Sequence, residues 1–293
     1  MLAPAQLAAL AAIHRQGSFE AAAAELHVTP SAISQRLKAL EDLAGALLIR
    51  RGPPCRATEA GLRLIRHHDE VALLERDLAR DLPGLAAGPA RLRIAVNADS
   101  LATWVMPALA QVEGFLFDLV IDDEDVSQDW LRRGEVAAAI TNQPGPLAGC
   151  DTLALGALRY RATASPGFAA RWFAQGVTAE TLIHAPALTF SEKDRLQHRW
   201  AAQAVDPALL RAALPCHRIA SSQGFVEACR LGLGWALNPD CLVAGALQRG
   251  DLVEIAGDQP LDVPLFWQFT RLAAPALRGL TAALRDAAAR TLI

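Results

Sequence analysis

Ser31, Ser34, Gln35 and Lys38 share one stripe of a helix of 3.6-residue period, with Arg36 beside it, and each can donate a hydrogen bond. Hydroxyl, amide and cationic donors at that spacing suit base edges in the DNA major groove, where purine and thymine acceptors lie within reach of an inserted helix. On another stripe Ile33, Leu37 and Leu40 recur at i, i+4 and i+7, so that face must pack against other elements. An ordinary solvated face on an isolated helix carries the same polar stripe. The setting favours the groove: a short helix and a tight turn precede the stripe, it lies near the N-terminus, and a cationic arm follows it.

Those donors need a scaffold, and the local signals supply one. Ser18 can cap a first helix running to about Leu26, His27-Val28 makes the turn, and Thr29 caps a second helix with Pro30 at its first position. That second helix runs to about Leu43 and stops at Gly45. Arg50, Arg51 and Arg56 flank Gly52-Pro53-Pro54, a rigid arm placed to grip phosphates. The candidate DNA contacts are therefore Ser18, Thr29, Pro30, Ser31, Ser34, Gln35, Arg36, Lys38, Arg50, Arg51 and Arg56. Ahead of them, residues 5–16 place Leu7, Leu10, Ala11 and His14 on one side of a scaffold helix, and Phe19 reads as core.

After the arm, Thr58 can cap a long helix in which Leu62, Ile65, Val71, Leu74 and Leu78 recur at three- and four-residue steps. A stripe that long needs a partner, and a second copy of itself is the simplest one. A two-fold dimer would present two heads to a pseudo-palindromic double-stranded DNA site. The alternative is that the helix packs back on its own chain. His67-His68 read as helix surface.

The 293 residues, 52% hydrophobic and 20% charged, allow two or three folded domains. Net charge is −3, yet residues 1–66 carry 8 Lys+Arg against 5 Asp+Glu, leaving 20 against 26 in the remainder. A basic head on an acidic body fits DNA contact at one end. No apolar run reaches the ~18 residues of a membrane span, and the opening segment reads as the first helix, so the expected location is the cytoplasm. Cys55, Cys150, Cys216, Cys229 and Cys241 are scattered without CxxC spacing, as in reduced structural cysteines, though a redox-sensing pair stays open. No GxSxG, phosphate-binding glycine loop or HExxH occurs, so no enzyme, cofactor, metal site or catalytic residue is expected.

Residues 83–90 form a Pro/Gly hinge, beyond which short apolar runs alternate with helical segments in two successive halves. That pattern predicts two α/β subdomains with a cleft between them. In such folds ligands bind beyond the carboxyl ends of strands. Polar residues at those ends are Asn97, Asp99 and Ser100, the acidic run Asp122, Asp123, Glu124 and Asp125, then Thr141 and Asn142, Ser191 with Asp194, and Ser221 with Ser222; Trp235 lies at the last of them. Trp104 and Trp235 either line the cleft or belong to the core.

The run from Ala21 to Gly61, AAAAELHVTPSAISQRLKALEDLAGALLIRR followed by ATEAG, resembles the N-terminal domain of the LysR-type transcriptional regulators. AVNADSLATW (95–104), LRRGEVAAAI (131–140), PCH (215–217) and SSQGF (221–225) resemble the ArgP-type branch, which regulates lysine and arginine export, and the likeness covers nearly the whole chain. The resemblance implies an α/β fold class: a winged helix-turn-helix over 1–58, a dimerisation helix over 59–82 and a hinge over 83–90. It further implies a periplasmic-binding-protein-like effector domain, with subdomain I at 91–163 plus 267–293 and subdomain II at 164–266. It implies a homodimer or homotetramer that contacts RNA polymerase and responds to lysine or arginine. Ser100 and its neighbouring N–H groups would take the carboxylate, and Asp123 and Glu124 best match the acids of the related regulators. A regulator of another metabolite, a cysteine-based redox sensor, or a solute-binding or enzymatic protein are the rival readings.

Overall fold

The computed structural model describes residues 1–82, 85, 88–121, 127–257 and 259–293; the acidic run at 122–125 and part of the 83–90 hinge lie outside them. The head begins with α1 (Pro4–Gln16), which ends at Gly17 with φ of 73°. A Cβ there would sit 2.8 Å from Pro54 Cβ, so both the left-handed backbone and the approach of the arm require glycine. The Cys55 N–H closes that approach by donating to Gly17 O at 2.8 Å.

Helix α2 (Phe19–Glu25) starts where Ser18 Oγ accepts from the Ala21 N–H at 3.1 Å. Helix α3 (Pro30–Ala44) starts where Thr29 Oγ1 accepts from the Ala32 N–H at 3.2 Å, and it stops at Gly45 with φ of 63°. Ile33, Leu37 and Leu40 are buried against Leu10, Ile13 and Ala22, each contributing roughly 1.5–3 kcal/mol by leaving water. The arm is an antiparallel pair, β1 (Ile49–Arg50) with β2 (Arg56–Ala57), in which Arg50 stands opposite Arg56. Glu41 Oε1 on α3 accepts from the Leu48 N–H at 2.9 Å, tying the donor helix to the arm.

Helix α4 (Glu59–Asp81) is capped by Thr58, whose hydroxyl also donates to Leu47 O at 2.8 Å. Its packing is divided. Leu73 is buried in the core of the body, and Arg76 lies 3.8 Å from the centre of the Phe115 ring while donating to Gly114 O at 2.8 Å. Leu74 and Leu78 are exposed. The helix thus packs one face on its own chain, through a leucine that the sequence stripe omitted, and leaves the other bare.

The body is built on a seven-stranded mixed sheet. β3 (Ala90–Val96) pairs in parallel with β4 (Phe115–Ile121) and β5 (Ala138–Thr141). The long strand β6 (Cys150–Ala164) pairs antiparallel with β11 (Leu261–Thr270), which in turn pairs with β5. The register shifts between Leu265 and Phe266, where β6 carries an extra residue beside Gly156 at φ of 124°. β9 (Ala236–Pro239) and β10 (Val253–Glu254) add to β6, and β7 (Ala187–Thr189) pairs in parallel with β8 (Cys216–Arg218). Thus β6 and β11 run through both halves of the body, so the chain crosses between them twice. The sequence pattern showed the halves but not this shared pair.

Helices cover the sheet: α5 (Ala98–Ser100), a π-helical turn Leu101–Val105, α6 (Met106–Leu109) and α7 (Ser127–Arg132) in the first half. The second half has α8 (Pro166–Trp172), α9 (Ala179–His184), α10 (Leu196–Ala204), α11 (Ser222–Arg230) and α12 (Asp240–Arg249), and α13 (Arg278–Thr291) returns to the first.

Candidate functional site

On the head, Ser31, Ser34, Gln35 and Lys38 are exposed and Arg36 is half-buried, and none makes a side-chain hydrogen bond or ion pair among the described residues. The stripe therefore presents unengaged donors to whatever lies outside. Ser18 and Thr29 accept backbone N–H groups as helix caps, so their first role is to place those donors. Pro30 sets the first turn of α3. In the arm Arg50 is exposed, Arg51 stands 5.2 Å from the centre of the Phe19 ring, and Arg56 donates to His14 O at 3.4 Å.

His14 Nδ1 accepts from the Ala57 N–H at 3.2 Å, which requires the neutral ring. Burial, then the charges of Arg56, Arg93 and Arg15, lower its pKa below 6.5. A histidine held neutral in the folded state contributes stability that is present above the unfolded value of 6.5 and is lost as pH falls through the depressed folded value. The arm is therefore expected to loosen as pH falls below 6.5. The protection factor of the Ala57 amide, its exchange rate corrected for the intrinsic base-catalysed dependence on pH, should fall on acidification, and His14→Gln, which keeps an acceptor but cannot titrate there, should flatten the response.

In the body, Asn97 and Ser100 follow β3, and Ser222 begins α11. Asn97 Oδ1, Ser100 Oγ and Ser222 Oγ are buried without a hydrogen-bond partner. Buried polar atoms without partners are rare, and a ligand or ordered water normally completes them. Ser100 leads directly into the π-helical turn, a helix type frequent at functional sites. Asp99 Oδ2 accepts from the Tyr160 hydroxyl at 2.8 Å, and Tyr160 is fully buried on β6, paired with both Leu261 and Pro239. Burial is the main reason the Cys241 thiol is held up; the charges of Asp240 and Asp99 add to it, so Asp99 lies near the start of α12.

Thr141 is buried and its Oγ1 accepts from the Gln143 N–H at 3.2 Å, while Asn142 Oδ1 accepts from Gln143 Nε2 at 2.8 Å. A buried amide pair fixes this loop: Gln128 Nε2 donates to Gln268 Oε1 and Gln268 Nε2 donates to Gln143 O, each at 3.0 Å. Sequence reasoning missed Gln128, Gln268 and Tyr160, because nothing local marks a polar residue whose partner lies more than sixty positions away.

Asp194 accepts from the Phe190 and Leu196 N–H groups at 2.8 and 2.9 Å, closing the turn into α10, and Ser191 Oγ accepts from the Lys193 N–H at 3.0 Å. Trp104 and Trp235 are core residues, 1% and 0% exposed, with Trp235 packed 5.4 Å from Trp200 between ring centres. Their indole Nε1 atoms, like Ser100 Oγ, are buried without a hydrogen-bond partner. Asp123 and Glu124 lie outside the described residues.

All five cysteines are free. Burial pushes the Cys229 thiol up to about 12 and raises Cys150 as well, leaving little thiolate at either. Among the described residues no cluster of three His, Cys, Asp or Glu could hold a metal ion, and no helix is long and apolar enough to cross a membrane.

Residues 4–62 match the family model described as "Bacterial regulatory helix-turn-helix protein, lysR family", and residues 86–289 match "LysR substrate binding domain". The chain is 44% identical over 280 residues to the HTH-type transcriptional regulator ArgP of Pseudomonas aeruginosa, covering 94% of this chain and 92% of that one. Among solved structures it is similar to ArgP from Mycobacterium tuberculosis, with 41% identity, a TM-score of 0.81, and coverage of 100% and 99%. Full-length LysG from Corynebacterium glutamicum with bound effector Arg matches at 37% identity and a TM-score of 0.68, covering 99% of each chain.

Proposed function

The chain belongs to the LysR family of bacterial transcriptional regulators, a DNA-binding regulator and not an enzyme, and from that premise we propose that its body senses lysine or arginine. The observation that carries the reading is the pair of buried, unpartnered oxygens at Asn97 and Ser100, which flank Asp99 in the chain, with a third at Ser222 where α11 starts. Hydroxyl donors at a helix start suit an α-carboxylate, and Asp99 suits an ammonium or guanidinium. Asp123, Glu124, Thr141, Asn142 and Ser191 complete the proposed effector set. The arginine in the Corynebacterium relative supports the same ligand class.

We assign residues 1–58 to the reading head, 59–82 to the dimerisation helix and 83–90 to the hinge. Residues 91–163 with 267–293 form effector subdomain I, and 164–266 form subdomain II. The exposed Leu74 and Leu78 favour a second copy along α4, giving a dimer, or a tetramer if bodies also pair. Such an oligomer would read a pseudo-palindromic operator in the cytoplasm and control a basic-amino-acid exporter or related gene. Effector binding would close the cleft and shift the population of head arrangements, altering contact with DNA and RNA polymerase.

Calorimetric titration of the purified protein with L-lysine, L-arginine and L-leucine tests the ligand claim. Saturable heat with a basic amino acid and none with leucine is expected. No heat with either basic amino acid would remove the sensing assignment and leave the DNA-binding regulator.

A further inference from the structure

The head, α4 and the body do not meet flush: between them lies a cavity of about 720 Å³, within the range of ~300–1,000 Å³ typical of small-molecule sites. All three parts charge its lining, with Arg15 from the head, Asp69 from α4, and Arg91 and Arg93 from β3. Their pairing is incomplete. Arg15 is engaged with Glu25. Asp69 makes no hydrogen bond or ion pair among the described residues, although Arg15, Arg91 and Arg93 act on it electrostatically. Burial dominates over those cations and holds its carboxyl up at about 6. Arg91 is exposed without an ion pair. Arg93 Nε is ion-paired with Asp118 at 3.4 Å but makes no hydrogen bond.

A carboxylate on one wall and guanidinium N–H groups on another, near enough to feel each other but not to touch, complement a zwitterion. We infer that this cavity is a second ligand site, separate from the cleft, that takes the α-ammonium of a free amino acid on Asp69 and its carboxylate on Arg91 and Arg93. A ligand held there touches α4 and the body together. It binds the docked arrangement of the two and no other, and so shifts the population toward it. The choice of ligand class rests on the amino-acid sensing proposed above; the site itself does not.

Calorimetric stoichiometry with L-arginine and with L-lysine on the full chain tests it. The wild type should bind two molecules per protomer. Asp69→Asn and Arg91→Gln should each leave one, with folding checked by an unchanged far-ultraviolet spectrum. Asp99→Asn, in the cleft, should weaken the other site only. A single site that both Asp69→Asn and Arg91→Gln leave intact overturns the inference while leaving cleft sensing in place. Loss of one site with Asp69→Asn and no effect of Asp99→Asn upholds the inference and sinks the cleft assignment. Absence of any binding overturns both.

Discussion

Replacing Ser34 and Gln35 together by alanine is expected to abolish sequence-specific operator binding while leaving the head folded. Both side chains are exposed on α3 and make no hydrogen bond or ion pair among the described residues, so truncation breaks none there. Each lost base contact should cost about 1–3 kcal/mol of discrimination, so the pair lowers affinity for the cognate site by roughly one to four orders of magnitude. Binding to unrelated DNA should change little, because phosphate contacts carry it. Arg50→Ala should act differently, weakening binding to every sequence alike and reducing the salt slope by about one. Competition titrations with cognate and scrambled duplexes at several salt concentrations separate the two effects. Equal loss on both duplexes for the Ser34/Gln35 variant would show that the stripe does not read bases.

Asp99→Asn is expected to raise the dissociation constant for arginine or lysine by about tenfold or more, since a hydrogen bond to a charged group is worth about 1.5–3 kcal/mol. Asparagine is nearly isosteric and keeps an oxygen to accept from the Tyr160 hydroxyl, so the turn before the π-helical segment stays in place. Tyr160→Phe supplies the contrast. It removes the hydroxyl that positions Asp99 but keeps the carboxylate, and should weaken effector binding less than Asp99→Asn does. Calorimetry on the two variants, with melting temperatures alongside, checks the order. If Tyr160→Phe weakens binding as much as Asp99→Asn, the carboxylate serves to hold β6 and does not bind the ligand.

The head was legible because its signals are local. Ser18, Thr29 and Thr58 cap where the sequence placed them, Gly45 stops α3, and the Ile33/Leu37/Leu40 stripe is buried. The alternation of the body was legible in its residues, and its double crossing came only with the family resemblance. Strand β6 serves both halves, faces different neighbours along its length, and carries an extra residue at Gly156, so no single period runs through it. Leu73 escaped the α4 stripe because it packs toward the body and not along the leucine face. The strand-end rule picked out Ser100 and Ser222, whose hydroxyls the fold leaves unmatched, together with Asp194, whose carboxylate closes its own turn, and two tryptophans buried in the core. A rule about chain position cannot say which polar atoms the fold leaves unmatched.

Footprinting of the DNA adjoining the gene for this chain, with and without L-arginine or L-lysine at fixed salt, tests the central claim most directly. The account predicts protection of two half-sites about one helical turn, or a multiple of it, apart, with a change in the protected pattern on adding either basic amino acid and none with L-leucine. A pattern that basic amino acids leave unchanged, or that leucine alters equally, would contradict it.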